Sequence, residues 1–275
     1  MTETLTYARL PSRGLIAVSG PDWRGFLQGL ITQDAETLAP GEARFGALLT
    51  PQGRLLYDLF VIGRGEGCWL DVLAEHRAAI LQRLTMYRLR AKVELAADDT
   101  AVSVLFPGGG SDPGHGWAPD PRLPALGWRG YGVEAPAGAQ IADEAAREVQ
   151  KLALGVPGPA DWGSDRTYAI EANFDLLNGI DFKKGCFVGQ ETTSRMKRRG
   201  QVKTRMLPIA FEGTAPAPGT EVLAGDLRAG AVTSAGAGRA IALLRLDRIE
   251  KADLTVDGRP ARVERPAWFL EHQAV

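Results

Sequence analysis

The chain has 275 residues, of which 45% are hydrophobic and 24% are charged, and its formal net charge at pH 7 is −1. These values are typical of a globular protein with two or more packed units, and they argue against extensive disorder. A nearly neutral chain does not attract nucleic acid through its overall charge. We therefore expect no direct nucleic-acid partner and only local anion sites.

Neither a membrane span nor a metal site is indicated by the sequence. No apolar run approaches the roughly 18 residues that cross a bilayer, and the N-terminus lacks the pattern of a signal peptide. We therefore expect a cytoplasmic protein without a membrane partner. The two cysteines, Cys68 and Cys186, and three scattered histidines do not have the spacing of metal ligands or of a disulfide framework.

Residues 1–155 carry alternating helix and strand signals. Apolar residues spaced by three or four, from Trp23 to Ile31, indicate the first helix. Thr50-Pro51-Gln52-Gly53 suits a type I turn between two strands, and the proline- and glycine-rich residues 107–125 indicate a surface loop. The predicted elements are, in order, a helix over residues 19–31, strands at 43–49, 54–62 and 68–73, a helix over 74–90, strands at 101–106 and 127–135, and a helix over 140–154.

The pattern changes at about Thr204. Short strands separated by glycine, proline and aspartate follow, which is typical of a small antiparallel barrel or sandwich. We therefore predict the α+β fold class, with a mixed region over residues 1–203 and a β domain over residues 204–275.

Cys186 lies in the most basic part of the chain. Between Lys183 and Arg205 there are eight lysines and arginines but only one acid, Glu191. Nearby cations and a helix N-terminus favour the thiolate form of a cysteine, and a helix is predicted to begin just after Cys186. The alternative is that neighbouring apolar side chains enclose the sulfur as ordinary core. The basic residues form either an anion site or a solvated helix face with Glu191 and Arg195 paired.

Two carboxylates and the second cysteine raise the same question of packing or chemistry. Asp58 and Glu171 lie among apolar residues, where a carboxylate is costly unless it is paired or lines a cavity. For each of them the alternative is exposure on one face of a strand. Cys68, on an apolar strand, is expected to be packed in the core.

The segment KGCFVGQE, residues 184–191, resembles the signature of the YgfZ-type folate-binding proteins. These are relatives of the glycine-cleavage aminomethyltransferase that serve in iron-sulfur cluster assembly and repair. The resemblance extends over most of the chain, because further segments follow in the family's order. These segments are VSGPDWRGFLQGLITQD, ALLTPQGRLLYDLFV, YRLRAKV, IEANFDLLNGIDFKKGCFVGQETTSRM and AGAVTS.

The resemblance implies a fold, a cofactor and a set of site residues. The fold is that of the aminomethyltransferases, with two interlocked α+β subdomains and a C-terminal β-barrel in a ring around a pocket for tetrahydrofolate. Glu171 is implied to bind the pterin edge, since a carboxylate accepts two parallel N–H donors. The other folate-binding residues implied are Tyr57, Gln190, Arg195 and Arg205, with one of the arginines on the glutamate tail. The catalytic residues implied are Cys186, Lys184 and Asp58.

Three functions remain in competition. The first is an accessory protein that binds tetrahydrofolate and helps to build or repair iron-sulfur clusters in client enzymes, including enzymes that thiolate tRNA, with Cys186 as its reactive group. One cysteine cannot hold a cluster alone, so any cluster would be shared or transient. The second is a folate-dependent one-carbon transferase that uses Asp58 and Glu171. The third is a folate-gated module whose basic face recruits an acidic client. Aminomethyltransferases usually carry paired acids at Tyr57-Asp58 and generally lack Cys186, which favours the first function.

Overall fold

The computed structural model describes residues 4–107, 113–198, 202–236, 238–250 and 252–271. These residues form two five-stranded sheets and a closed six-stranded barrel. Sheet I has the order β10-β1-β7-β9-β8, sheet II has the order β3-β4-β5-β2-β6, and the barrel has the order β11-β14-β13-β12-β15-β16. The strands of sheets I and II are β1 (Thr6–Arg9), β2 (Arg13–Ser19), β3 (Ala43–Leu49), β4 (Leu55–Arg64), β5 (Gly67–Leu73), β6 (Glu94–Asp98), β7 (Val102–Phe106), β8 (Trp117–Pro119), β9 (Trp128–Tyr131) and β10 (Gln140–Ala142).

The barrel and the helices complete the fold. The barrel strands are β11 (Thr204–Phe211), β12 (Glu221–Ala224), β13 (Leu227–Ala235), β14 (Arg239–Arg245), β15 (Leu254–Val256) and β16 (Arg259–Val263). The helices are α1 (Trp23–Gln28), α2 (Arg77–Arg88), α3 (Glu144–Ala153), α4 (Pro159–Trp162), α5 (Gln190–Arg198), α6 (Leu246–Ile249) and α7 (Ala267–Leu270). The sequence left a barrel and a sandwich open for the β domain, and the structure has the barrel.

The two sheets are interlocked by the path of the chain. Strand β1 lies between β10 and β7 in sheet I, yet the chain builds all of sheet II before it returns to sheet I at β7. The predicted hairpin is present: β3 pairs with β4, and the Gly53 N–H donates to Thr50 O at 2.8 Å. No helix in the described ranges combines the length and the apolar character that crossing a bilayer requires.

The two faces of β4 determine what the site residues contact. Leu59 and Val61 pack towards α1 and α2, while Phe60 and Ile62 pack towards sheet I. Because side chains alternate along a strand, Asp58 lies on the same face as Phe60, between the two sheets. It is 5% exposed.

Two predicted helices are shorter than expected. The first ends at Gln28 rather than at residue 31, because Ile31 turns away to form a β-bridge with Leu48. The other begins at Glu144 rather than at residue 140, because residues 140–142 form β10 at the edge of sheet I. Asp143 then caps the helix by accepting from the Ala146 N–H at 3.2 Å.

Part of the predicted loop at residues 107–125 is ordered as strand. Trp117–Pro119 forms β8, which pairs with β9, and a short 3₁₀ turn follows at Pro124–Leu126. Residues 108–112 of the predicted loop lie outside the described residues. The predicted strand at 127–135 is limited to β9, after which Gly132 adopts a φ of 66° that ends it.

Candidate functional site

A cavity lies where sheet II, α3 and the barrel meet. Tyr57 and Asp58 of β4 line it on one side, Lys151 of α3 on another, and Ser234 of β13 on the barrel side. Its volume is about 520 Å³. A second cavity of about 370 Å³, between α3 and strands β13 and β14, shares Lys151 and Ser234 with the first. Together they are large enough for a cofactor-sized ligand.

The lining of the larger cavity combines aromatic surface with carboxylates. Trp162 and Tyr57 both line this cavity. The Tyr57 ring packs against His76, with the ring centroids 5.1 Å apart. Asp161 is held in place because its Oδ2 accepts from the Gly158 N–H at 2.7 Å and its Oδ1 accepts from the Thr233 hydroxyl at 2.6 Å. This arrangement suits a flat heterocycle with N–H donors at its edge.

Asp58 is a paired, buried carboxylate. Its Oδ2 lies 3.1 Å from Arg13 Nη1, and Arg13 Nε also donates to Asp71 Oδ1 at 2.7 Å. Of the two interpretations of the sequence, the structure shows the one in which Asp58 is paired and lines a cavity. Asp58 does not lie on an exposed strand face.

Sequence reasoning missed Lys151 and Asp161. Lys151 is 8% exposed, and its Nζ lies 2.7 Å from Glu148 Oε2. Burial lowers the pKa of Lys151, while Glu148 acts in the opposite direction. The sequence signals for both residues were weak. Lys151 lies one helical turn after Arg147 on the buried face of α3. Asp161 lies in the first turn of α4, after Gly158 and Pro159.

Glu171 lies apart from this lining. Its Oε2 accepts from the Tyr168 N–H at 3.0 Å, and its Oε1 accepts from the hydroxyl of Thr204, at the start of β11. The described lining of the two cavities does not include it. Each carboxylate oxygen can accept a second hydrogen bond, so Glu171 keeps acceptor capacity.

The prediction that Arg205 binds a folate tail needs correction. Arg205 is 8% exposed, and its Nη1 and Nη2 pair with Asp175 Oδ1 and Oδ2 at 2.8 and 2.9 Å. Nη1 also donates to Ile170 O. Because this bidentate pair occupies the fork of the guanidinium, Arg205 joins β11 to the turn that contains Ile170 and Asp175. Arg195 is exposed on α5, and Gln190 is half-buried at its start.

Cys186 is exposed on the loop that leads into α5, and the two cysteines have opposite settings. The interpretation that apolar neighbours enclose its sulfur is wrong, because Phe187 turns inward to 8% exposure and leaves Cys186 outside. Cys68 is 1% exposed, and burial raises the pKa of its thiol to about 12. Its predicted packing role is confirmed.

Lys184, predicted as a catalytic residue beside Cys186, makes hydrogen bonds at the end of α1. Its Nζ donates to three backbone carbonyl oxygens, of Gln28, Ile31 and Gln33, at 2.8, 2.7 and 2.8 Å. Burial lowers the pKa of Lys184 to about 8, and Asp34 and Asp181 oppose this change. The ammonium thus fastens the cysteine loop to the end of α1, and a catalytic role for Lys184 stays a prediction.

The basic residues after Cys186 form a mostly solvated face. Lys197 Nζ lies 3.6 Å from Asp175 Oδ2, and it also lies over the Phe182 ring. The expected ion pair between Glu191 and Arg195 is absent from the described part of the chain. Across the same described ranges, no three His, Cys, Asp or Glu side chains are grouped so that they can hold a metal ion.

Comparison with known proteins connects this architecture to two groups. Residues 203–271 match the family described as "CAF17, C-terminal beta-barrel domain". The glycine cleavage system aminomethyltransferase T from Bartonella henselae has the same fold, with a TM-score of 0.78 over 98% of this chain and 87% of that chain at 18% identity. The aminomethyltransferase-like fold implied by the sequence is therefore confirmed.

Sequence relatives of this chain are named "Iron-sulfur cluster assembly factor IBA57 homolog, mitochondrial". The protein from Neurospora crassa is 33% identical over 247 residues, which are 76% of this chain and 54% of that protein. The protein from Phaeosphaeria nodorum is 34% identical over 238 residues, which are 74% of this chain and 55% of that protein. The chain thus spans little more than half the length of these relatives.

Proposed function

We propose that this protein is an accessory factor for the assembly or repair of iron-sulfur clusters, with Cys186 as the group that meets the cluster. The observation that carries the proposal is the exposed sulfur of Cys186 on a loop whose neighbours are fixed. On the N-terminal side of Cys186, Lys184 anchors the loop to the end of α1. On its C-terminal side, the Val188 N–H donates to Gly29 O at 3.1 Å. The name of these sequence relatives supports the same assignment.

The cluster is cargo in this proposal. A [4Fe-4S] or [2Fe-2S] cluster takes several thiolate ligands, and this chain offers one accessible cysteine among its described residues. A partner must therefore supply the remaining ligands while Cys186 binds or exchanges one position. We also predict that the client enzymes include enzymes that thiolate tRNA.

The surface beside Cys186 suits an acidic partner. Val188 shares a small apolar groove with Arg83 and Tyr87 of α2, so α2 borders the cysteine loop. Residues 77–92 contain five basic residues and no acid, and Leu89, at the end of α2, is 87% exposed. A basic surface with exposed apolar side chains favours a partner with acidic residues around an apolar contact.

We further propose that the larger cavity binds tetrahydrofolate. The cavity fits it in size, Tyr57 and Trp162 offer surfaces for a pterin ring, and Asp161 offers carboxylate oxygens for its N–H edge. When bound, tetrahydrofolate supplies nitrogens that carry one-carbon groups. Roles for Glu171, Gln190 and Arg195 stay predictions. The cytoplasmic location also stays a prediction, and the relatives are named as mitochondrial.

The test is the activity of a [4Fe-4S] enzyme such as aconitase in oxidatively stressed cells that lack this protein. We expect that the wild type restores the activity, that Cys186→Ser does not, and that Cys68→Ser serves as the matched control because Cys68 is buried. Equal rescue by wild type and Cys186→Ser would refute the role of the sulfur. No rescue by the wild type would refute the iron-sulfur assignment.

The second candidate function is one-carbon transfer, and the position of Asp58 in the cavity favours it. The pairing of Asp58 with Arg13 weakens it, because the Arg13 guanidinium already occupies Oδ2 of the carboxylate at 3.1 Å. Incubation of the protein with tetrahydrofolate and an aminomethyl donor should yield methylene-tetrahydrofolate if this function is correct. Lack of product above an Asp58→Asn control would remove it.

A further inference from the structure

A third, smaller cavity lies between the two sheets and is lined by charged side chains. Its volume is about 60 Å³, which is room for a few waters or one small oxyanion. It adjoins the larger cavity, with which it shares Asp58, Leu73 and Lys151. The basic residues that line it are Arg13, Arg122, Arg129, Arg147 and Lys151.

The buried charges around this cavity do not balance. Four buried guanidinium groups, of the arginines just named, face three buried carboxylates. Asp120 accepts from Arg122 and Arg147, Asp71 accepts from Arg13 and Arg129, and Asp58 pairs with Arg13. Among these fully buried groups one positive charge is therefore in excess, and a buried charge without a counter-charge destabilises the fold.

The other acids at the cavity do not remove this excess. Glu148 pairs with Lys151 at 2.7 Å, but the Glu148 side chain is 60% exposed, so water screens it. Glu144 accepts hydrogen bonds from the hydroxyl and the N–H of Ser12 at the surface. Burial, with smaller contributions from Arg122 and Arg129, lowers the pKa of Arg147 to about 9, while Asp120 and Glu148 oppose this change. Arg122 and Arg129 thus act against the charge of Arg147 inside the cluster.

Two guanidinium nitrogens have donors to spare. Arg122 bonds Asp120 through Nε and Nη2, and Arg129 bonds Asp71 through Nε and Nη2. Within the described residues, neither Nη1 of Arg122 nor Nη1 of Arg129 makes a hydrogen bond to a protein acceptor, although Arg129 Nη1 lies 3.9 Å from Asp120 Oδ2. Every fully buried side-chain nitrogen or oxygen in that part of the chain has a partner, so these two atoms contact the cavity.

We propose that this inter-sheet cavity binds a small oxyanion of the carboxylate or phosphate class, held by Nη1 of Arg122, Nη1 of Arg129 and the ammonium of Lys151. An anion here supplies the missing negative charge and accepts the spare donors. Two sources share this chemistry: a free oxyanion, or a carboxylate of a larger ligand that occupies the adjoining cavity. The proposal rests on this geometry and does not depend on the proposed function.

Titration of the full chain with inorganic phosphate at constant ionic strength, with chloride as the replaced ion, tests the proposal by calorimetry. We expect saturable binding and a rise in the melting temperature that chloride does not produce. Lys151→Gln and Arg147→Gln should each weaken phosphate binding by about tenfold, since each removes a charged group from the lining. Arg245→Gln is the matched control, because Arg245 lies in an exposed pair with Asp247.

Absence of a phosphate effect beyond that of chloride on the wild type overturns the proposal, whatever the variants do. Equal binding by wild type and both lining variants overturns it as well. To separate the two sources, phosphate is titrated in the presence of tetrahydrofolate and of tetrahydropteroate, which lacks the glutamate. Competition by tetrahydrofolate alone identifies the tail carboxylate as the ligand, and competition by neither identifies a free oxyanion. Because the first titration contains no folate, a failure of the folate proposal leaves its result readable.

Discussion

The anchoring of the cysteine loop by Lys184 gives the sharpest test of the structure. Lys184→Met keeps the length of the side chain but removes the ammonium that donates to the carbonyls of Gln28, Ile31 and Gln33. A hydrogen bond from a charged donor contributes about 1.5 to 3 kcal/mol. The three bonds share one donor group that is partly exposed, so water replaces part of the loss, and we expect the free energy of unfolding to fall by about 2 to 3 kcal/mol.

Urea denaturation at pH 7, followed by tryptophan fluorescence, measures this change. Lys183→Met is the matched control, since Lys183 is exposed on the same loop and its loss should change the free energy of unfolding by less than about 0.5 kcal/mol. The Cys186 loop should also become mobile in Lys184→Met, which hydrogen exchange of the Val188 amide would report as faster exchange. If Lys184→Met and Lys183→Met are equally stable, the ammonium does not anchor the loop and the reasoning fails.

Three further predictions follow from the two cysteines and the buried ion pairs. In the native protein a thiol probe should label Cys186 and not Cys68, so Cys186→Ser should leave no fast-reacting thiol; fast labelling of that variant would contradict the burial of Cys68. Because the pKa of Cys68 is raised to about 12, the native state keeps a proton that the unfolded chain loses above pH 8.5 or so, and stability should fall with rising pH. Between pH 8.5 and 10 the wild type should lose about 1 to 2 kcal/mol more than Cys68→Ala, and parallel losses would contradict this. Asp71→Asn should cost about 3 to 5 kcal/mol in urea denaturation, because it removes the buried carboxylate that both Arg13 and Arg129 pair with, whereas the exposed control Asp247→Asn should leave the urea midpoint unchanged; a small cost for Asp71→Asn would refute the buried network.

The sequence predicted those elements whose signals are local. The β3–β4 hairpin, α2 and the barrel strands have strong periodicity and clear turn residues, so their positions follow from residues close in the chain. The early end of α1 depends on Leu48, and β10 depends on β1, which lies more than 130 residues earlier. Such pairings with distant segments leave no periodic signal in the segment itself.

The site shows the same division. The sequence offered an exposed Cys186 as one alternative because this cysteine lies in a basic segment. It offered a cavity-lining Asp58 because a carboxylate is unusual in an apolar strand. Lys184 had the expected charge, but only the structure shows that its ammonium donates to the carbonyls of Gln28, Ile31 and Gln33. Lys151 lines all three cavities and was missed, since a lysine on a helix normally signals a solvent face.

The position of β1 has a consequence for how the protein folds. Because β1 lies inside sheet I between β10 and β7, its partners are made about 100 and 130 residues later, after the whole of sheet II. The first strand must wait for its partners during synthesis, and this loop closure makes sheet I slow to form. Deletion of the first nine residues would remove an interior strand of sheet I. It should therefore unfold both sheets together, whereas loss of an edge strand would affect only that edge.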